Sequence, residues 1–196
     1  QTPSEKIIKG YQKAGAAALS ILTEENFFNG SNKHISNSRN ITDLPILRKD
    51  FIIDEFQIIE SKSIGADGIL LIAACLDEKQ IIKLSRLAKS LGLEVLIEIH
   101  DSSELNKCFI DSIDIIGINN RNLKTFDVDI ETSISLSEKI PSNYVKISES
   151  GISNSSDITK LKKFGFDGFL IGENFMKTDD PGKALSSLLN EIKNDS

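Results

Sequence analysis

The chain has 196 residues, of which 39% are hydrophobic and 27% charged, which is enough apolar material for one globular domain. Its formal net charge of -6 argues against a nucleic-acid partner, because such a partner requires a basic surface. No apolar run approaches 18 residues and the N-terminal residues lack the layout of a signal peptide, so the sequence predicts a cytoplasmic protein without a membrane partner.

Helical and strand patterns alternate along the chain. A first helix is predicted at about residues 3–14. Short apolar strands, of the kind that is buried on both faces, are predicted at 15–21, 45–49, 65–72, 94–99, 115–119, 144–149 and 165–172. With their apolar parts starting near residues 18, 45, 68, 94, 115, 144 and 168, the strands are 21 to 29 residues apart, which leaves room for one strand, one helix and two short loops in each unit.

Local signals mark where the helices begin and end. Gly15, Gly65 and Gly165 each follow a helical pattern, as is typical of a left-handed residue at a helix C-terminus. Residues 77–92 carry their apolar side chains on one helical face, and residues 153–165 open with residues that cap helices. These signals support the strict alternation of strands and helices.

Such an alternation indicates a parallel sheet, either doubly wound or closed into a (β/α)8 TIM barrel. No GxGxxG or GxxxxGK[ST] motif follows the first strand, which favours the barrel over a nucleotide-binding sheet. Seven strands are recognisable, whereas a barrel has eight. We therefore predict a single barrel domain over residues 1–196 that is incomplete at its N-terminus, with the first strand missing.

Polar residues gather at the C-terminal ends of the predicted strands, where a barrel builds its active site. In chain order these ends carry Thr23, Glu24, Lys49, Asp50, Glu98, His100, Asn119, Asn120, Arg121, Ser148, Glu149, Ser150, Gly172 and Glu173. A single lysine at a strand end is usually a solvated residue, but this convergence predicts an acid–base site with Lys49 as its cation. His100 is interpreted as a structural hydrogen-bonding residue outside the site.

Two glycines directly after the last two strands indicate a phosphate site. Gly151 and Gly172 allow a ligand to approach the backbone closely, and barrels often bind phosphate there through N–H groups and a helix N-terminus. The alternative is that both are ordinary turn glycines.

The two cysteines, Cys75 and Cys108, lie far apart in the chain and without CxxC spacing. We predict reduced thiols that are buried for structural reasons, with no metal site.

Three motifs resemble the indole-3-glycerol-phosphate synthase family. They are "LRKDF" at 47–51, "NNRNL" at 119–123 and "SESGI" at 148–152, and their order and separation are jointly specific. The resemblance extends over nearly the whole chain. It implies a tryptophan-biosynthesis enzyme that converts 1-(2-carboxyphenylamino)-1-deoxyribulose 5-phosphate into indole-3-glycerol phosphate, without a metal or an organic cofactor.

The resemblance also implies roles for individual residues. Lys49 would be the general acid, Glu98 the carboxylate that transfers protons and orients the lysine, and Asn119 a third catalytic residue. Substrate contacts would come from Arg121, Glu149 and Ser150, with Phe51 and Phe28 packing on the aromatic ring, and phosphate contacts from Gly151, Gly172 and Glu173. Other tryptophan-pathway enzymes are possible partners.

The sequence departs from the family at its start. Family members begin with a strand that carries a glutamate and a lysine, followed by a Ser-Pro-Ser loop, and Pro3-Ser4 does not match that loop. We therefore expect residues 1–196 alone to fold poorly and to turn over little. An incomplete record of a normal enzyme and a genuine short protein are both open explanations.

Two rival functions are also open. One is another phosphosugar barrel enzyme, such as a phosphoribosylanthranilate isomerase-like protein or a tryptophan synthase α-like lyase, which would share the phosphate site. The other is a non-catalytic barrel fragment that binds a phosphorylated ligand or a partner through its open edge.

Overall fold

A computed structural model describes residues 5–194. The strands are Leu19–Leu22 (β1), Ile46–Lys49 (β2), Gly68–Ile72 (β3), Glu94–Ile99 (β4), Ile115–Asn119 (β5), Val145–Glu149 (β6) and Gly168–Leu170 (β7). The α-helices are Glu5–Ala14 (α1), Asn32–Arg39 (α2), Glu55–Ser63 (α3), Glu78–Ser90 (α4), Glu131–Ser137 (α5), Ser155–Lys163 (α6), Glu173–Met176 (α7) and Pro181–Asn194 (α8). Short 3-10 helices follow β3 and β4, at Ala73–Cys75 and Leu105–Lys107.

All seven predicted strands form, and they pair in parallel in the order of the sequence, β1 to β7. Within residues 5–194, β1 and β7 are the two edges of this sheet. The first helix ends at Ala14, as predicted, whereas its predicted start at residue 3 lies outside the described residues. No helix in residues 5–194 is long and apolar enough to cross a bilayer.

The helix ends follow the local signals in the sequence. Gly15, Gly65 and Gly165 have φ angles of 96°, 95° and 78°, which is the left-handed region that favours glycine. At the start of α4, the Asp77 carboxylate accepts a hydrogen bond from the backbone N–H of Gln80, and the Gln80 side chain accepts one from the backbone of Asp77. The alternation of elements is therefore encoded locally.

Apolar side chains pack on both faces of the sheet. Most of the buried apolar side chains lie on the outer face of the sheet, between the strands and the helices that surround them. The inner face carries a smaller cluster of Leu47, Leu70, Ile72, Leu96, Ile115 and Leu170. Side chains alternate between the two faces along a strand. Lys49 and Glu98 follow Leu47 and Leu96, respectively, by two residues, so they lie on the same inner face, nearer the C-terminal ends of the strands.

The sheet is curled into an open barrel. Strands β2 and β6 are four positions apart, which would separate them by about 19 Å in a flat sheet. The side chains of Lys49 on β2 and Glu149 on β6 nevertheless meet, with 3.1 Å between Nζ and Oε2. This contact requires the inner face to wrap around an axis, and it agrees with the predicted barrel architecture.

Two glycines allow α1 and α8 to cross closely outside the sheet. A Cβ on Gly182 would lie 2.7 Å from Gly10 Cα and 2.8 Å from its carbonyl carbon, which is backbone that cannot rotate away. We expect Gly182→Ala to lower the free energy of unfolding by about 1–3 kcal/mol through overpacking, measured by urea denaturation. Gly172→Ala is the control, since within residues 5–194 no heavy atom beyond the two adjacent residues lies within 4 Å of the added Cβ. Equal stabilities for the two variants would contradict the close crossing.

Candidate active site

The consecutive charges of "LRKDF" separate onto opposite faces of β2. Arg48 points outward and is almost fully buried against α3, where its guanidinium pairs with Glu60 at 2.9 Å and Asp50 at 3.0 Å. Its Nε also donates to Thr23 Oγ1 at 3.0 Å, at the end of β1. Arg48 therefore fixes the end of β2 from outside, and the next residue, Lys49, points inward.

Lys49 lies between two buried carboxylates. Its Nζ is 3.0 Å from Glu98 Oε2 and 3.1 Å from Glu149 Oε2. The lysine side chain keeps 24% exposure, whereas those of Glu98 and Glu149 keep only 5% and 2%. The three residues come from β2, β4 and β6, and inward side chains from alternate strands share one layer of a barrel. One cation facing two anions can move protons at this layer.

The three groups have different proton affinities. Burial would lower the pKa of Lys49, but the two carboxylates outweigh it and hold that pKa above its usual range. Burial opposes ionisation of Glu98, yet His100 and Lys49 together hold the pKa of Glu98 well below normal. Burial raises the pKa of Glu149 to about 7, and Lys49 offsets only part of that rise. The site thus pairs a lysine that is charged at neutral pH in the free protein with a carboxyl group that titrates near neutrality.

Gly117 on β5 makes the room that Glu149 occupies. A Cβ at this position would lie 2.1 Å from Glu149 Oε1 and 3.0 Å from Leu96 Cδ1. The same Oε1 is buried and accepts no hydrogen bond. The second oxygen of Glu149 is therefore free to carry a proton.

The turn after β6 is held by hydrogen bonds from Asn120, at the end of the neighbouring strand β5. Ser150 and Gly151 have φ angles of 66° and 73°, and the strained Ser150 accepts a hydrogen bond at its carbonyl from Asn120 Nδ2 at 3.0 Å. The buried Asn120 side chain also donates to Ser148 and accepts from the backbone N–H of Ser133. A Cβ on Gly151 would lie 2.3 Å from Val128, so this turn needs glycine for both space and conformation.

Comparison with known proteins identifies the family. The model of the family described as "Indole-3-glycerol phosphate synthase" matches residues 2–188. A protein of that name from Bacteroides thetaiotaomicron is 52% identical over 190 residues, 96% of this chain and 72% of the relative. Its namesake from Campylobacter jejuni subsp. doylei is 49% identical over 93% of this chain and 71% of the relative.

The chain belongs to the indole-3-glycerol phosphate synthase family. Solved structures of more distant proteins share the fold. The 3-hexulose-6-phosphate synthase of Salmonella typhimurium superposes with a TM-score of 0.76 at 16% identity, over 95% of this chain and 92% of the other. KGPDC from Streptococcus mutans gives a TM-score of 0.68 at 14% identity, with the same two coverages. At such low identity these two likenesses show the barrel fold alone.

The structure brings together the predicted acid–base residues of this synthase family member. Lys49, Glu98 and Glu149 are in direct contact. Asn119 is the ladder partner of Glu149 and lies on the inner face with Gly117, while its Oδ1 accepts the backbone N–H of Arg121 at 3.0 Å. The catalytic role predicted for Asn119 stays a prediction, as do the roles of the other residues.

The remaining predicted residues lie around the same rim. The Arg121 guanidinium pairs with Glu173 at 2.9 Å, which joins the ends of β5 and β7. Phe28 and Phe51 are partly exposed, with ring centroids 6.2 Å apart. Gly172 caps α7 with open space on its Cβ side. An aromatic pair and an uncovered glycine are both compatible with the predicted substrate and phosphate contacts.

For His100 and Cys75 the structure differs from the sequence prediction, and it adds Gly117 to the site. His100 was placed outside the site, yet its Nε2 lies 3.3 Å from Glu98 Oε1. Cys108 is buried as predicted, but Cys75 is exposed because it lies in the 3-10 helix after β3 rather than inside a strand. Gly117 was not singled out. The period of two along a strand could have placed His100 beside Glu98, since they are two residues apart.

We expect Glu149→Gln to stabilise the protein at high pH. An unfolded glutamate has a pKa of roughly 4.3, so between pH 4.3 and about 7 the folded protein holds a proton that the unfolded chain has lost. The free energy of unfolding therefore falls as pH rises through this window, and the penalty is complete above pH 7. Removing the carboxyl should raise Tm most at pH 8 and hardly at all at pH 4.5. Exposed Glu138→Gln is the control, and a Tm gain that is independent of pH would contradict the buried titration.

In the described part of the chain, no cluster of three or more His, Cys, Asp or Glu side chains is arranged to hold a metal ion.

Proposed function

We propose that this chain converts 1-(2-carboxyphenylamino)-1-deoxyribulose 5-phosphate into indole-3-glycerol phosphate, carbon dioxide and water, and so acts as a carboxy-lyase of tryptophan biosynthesis. The observation that carries the proposal is the contact of Lys49 Nζ with both Glu98 and Glu149 at the C-terminal end of the barrel. Membership of the indole-3-glycerol phosphate synthase family supports it.

The first chemical step forms a carbon–carbon bond. The ring carbon that bears the carboxylate attacks the ketone carbon of the sugar chain, and the ketone oxygen gains negative charge as the bond forms. A lysine ammonium beside that oxygen stabilises the charge and donates a proton to make a hydroxyl group. In the proposal this is the role of Lys49, whose raised pKa keeps it charged until the transfer.

Two eliminations complete the indole. Carbon dioxide leaves, and the electrons of its carbon–carbon bond restore the aromatic ring. The new hydroxyl then leaves as water, which requires one proton donated to oxygen and one proton removed from the adjacent ring carbon. The carboxyl group of Glu149 is suited to this exchange, because a group whose pKa is near 7 both gives and accepts protons at neutral pH.

The substrate orientation follows from the rim residues. We propose that Asn119, Arg121 and Ser150 bind its polar groups, and that Phe28 and Phe51 pack against its aromatic ring. The turn at Ser150–Gly151 and the backbone around Gly172 and Glu173 would hold the phosphate by N–H groups. The site would thus be locally favourable for an anion on a chain whose net charge is -6.

The proposal needs no metal and no organic cofactor. The chain would work in the cytoplasm, and other enzymes of tryptophan biosynthesis are its proposed partners.

A direct assay tests the proposal. The full-length protein is incubated with the carboxyphenylamino-deoxyribulose phosphate, and indole fluorescence and carbon dioxide release are measured together. We expect both products in equal amounts. Isomerisation of phosphoribosylanthranilate instead would favour another phosphosugar barrel enzyme. Binding of the substrate, measured by calorimetry, without any turnover would favour a non-catalytic ligand-binding protein.

A further inference from the structure

Glu98 and Glu149 each contact Lys49 through one carboxylate oxygen, and they differ in the surroundings of the other oxygen. Glu98 uses Oε2 for Lys49 and turns Oε1 toward His100 Nε2 at 3.3 Å. Glu149 uses Oε2 for Lys49, and its Oε1 lies in the space above Gly117 without a hydrogen-bond partner. Both oxygens of Glu98 therefore lie within 3.3 Å of a nitrogen, the one at His100 being a contact of charges and not a hydrogen bond of good geometry. Oε1 of Glu149 has no hydrogen-bond partner within residues 5–194.

His100 is held in place from its other side. Its backbone N–H donates to Glu104 Oε2 at 2.7 Å, and the same oxygen lies 3.7 Å from Nδ1 of the imidazole. The side chain is only 11% exposed. An imidazole that lies between two carboxylates in a buried place is stabilised as the charged imidazolium.

We infer that His100 is a positioning residue, whose imidazolium keeps Glu98 as the fixed anion that orients Lys49 and leaves Glu149 as the carboxyl group that exchanges protons during the reaction. This inference rests on the proposed function for the roles of Lys49 and Glu149 in turnover. The arrangement of charges that it describes is present without substrate, and so it can be tested independently.

The proton affinities agree with this division. Burial alone would lower the pKa of His100, but Glu104 and Glu98 outweigh it and raise that pKa to about 9. The imidazolium is among the groups that hold the pKa of Glu98 low, while the pKa of Glu149 rises to about 7. At neutral pH the proton that the pair of carboxylates shares therefore belongs to Glu149.

Other charges near His100 do not replace it. The titratable groups that interact with the imidazole are Glu98, Glu104 and Asp101. Cys75, Cys108 and Lys107 are linked to it through Glu104, and Lys49 and Glu149 lie beyond Glu98. Lys107 donates to the carbonyls of Ala73 and Leu76 after β3, so its ammonium is engaged elsewhere. His100 is the imidazole in contact with Glu98, and it is two residues away on the same strand end.

Nuclear magnetic resonance tests the charge arrangement without any catalysis. The sequence has two histidines, His34 and His100, so the 196-residue chain labelled with 15N-histidine gives two imidazole signals, which a His100→Gln variant assigns. We expect the His100 signal to remain that of an imidazolium at pH 7.5 and to titrate near pH 9. In Glu98→Gln its pKa should fall by at least one unit, because an anionic partner is lost. A His100 titration that is the same in both proteins would overturn the inference.

Kinetics test the consequence for the reaction. Without the imidazolium the two carboxylates bind a proton more readily. The apparent pKa near 7 in the dependence of kcat on pH should therefore rise by about one unit in His100→Gln. We expect kcat to fall about tenfold while KM changes less than twofold. His100→Lys, which keeps a positive charge, should return the apparent pKa toward that of the parent protein, and His34→Gln should leave it unchanged.

The outcomes separate a positioning role from a structural one. A lower kcat with an unchanged apparent pKa would mean that His100 only supports the fold, and it would overturn the inference. If the parent protein shows no turnover, the proposed function fails, while the magnetic resonance titrations still decide whether His100 holds Glu98 as an anion.

Discussion

Replacing Lys49 with alanine is expected to lower kcat by at least 10²–10³, which corresponds to about 2.7–4 kcal/mol of lost transition-state stabilisation. Within residues 5–194 the lysine is the cation that contacts both Glu98 and Glu149. Without it, the oxygen that gains negative charge during ring closure would face two carboxyl groups and no ammonium from this part of the chain. The measurement is indole fluorescence under saturating substrate at neutral pH.

Suitable controls separate chemistry from folding. Lys162→Ala removes an exposed lysine near the C-terminus of α6, far from the strand ends, and should leave kcat unchanged. A cooperative thermal transition in Lys49→Ala would show that the variant folds. If that folded variant turned over within a few-fold of the parent protein, Lys49 would not be the general acid.

The second large effect is expected from Gly117→Ala, a change of one methyl group in the middle of β5. The added Cβ would lie 2.1 Å from Glu149 Oε1 and 3.2 Å from its carboxyl carbon, so the carboxylate must shift from the position in which its Oε2 contacts Lys49. We expect kcat to fall by about 10² and the free energy of unfolding to fall by about 1–3 kcal/mol because the site is overpacked. Activity assays and urea denaturation measure the two effects.

A double mutant isolates the cause. In a Glu149→Ala background the obstructing carboxylate is absent and only the 3.0 Å approach to Leu96 Cδ1 remains, so Gly117→Ala should cost clearly less stability and cause no further loss of kcat. Gly168→Ala on β7 is the matched control, because its Cβ would make only an ordinary contact of 3.4 Å with Ile147. Equal destabilisation by Gly117→Ala in both backgrounds would show that Glu149 is not what the methyl group displaces.

The sequence predicted the elements because their signals are local. A strand such as Gly68–Ile72 is apolar throughout and follows Gly65 at the end of a helical pattern, and both features are visible within ten residues of sequence. The strand-end pattern and the family resemblance identified Lys49, Glu98 and Glu149 for the same reason, since each lies at the end of a recognisable strand. Strand order also followed, because parallel strands joined by helices usually pair with their neighbours in the chain.

Only the tertiary structure decided which side chains meet. The curl of the sheet brings Lys49 into contact with Glu149, 100 residues later in the chain. A local sequence pattern cannot predict a contact over so long a separation. The same curl gives His100 its place beside Glu98 and Gly117 its place under Glu149. The proton affinities of these side chains depend on burial and on neighbouring charges, and both arise only when the sheet curls. The sequence by itself therefore determined the strands, their order and the reactive residue types. Packing of distant strands around one axis determined which carboxylate is held as an anion and which one titrates near neutral pH.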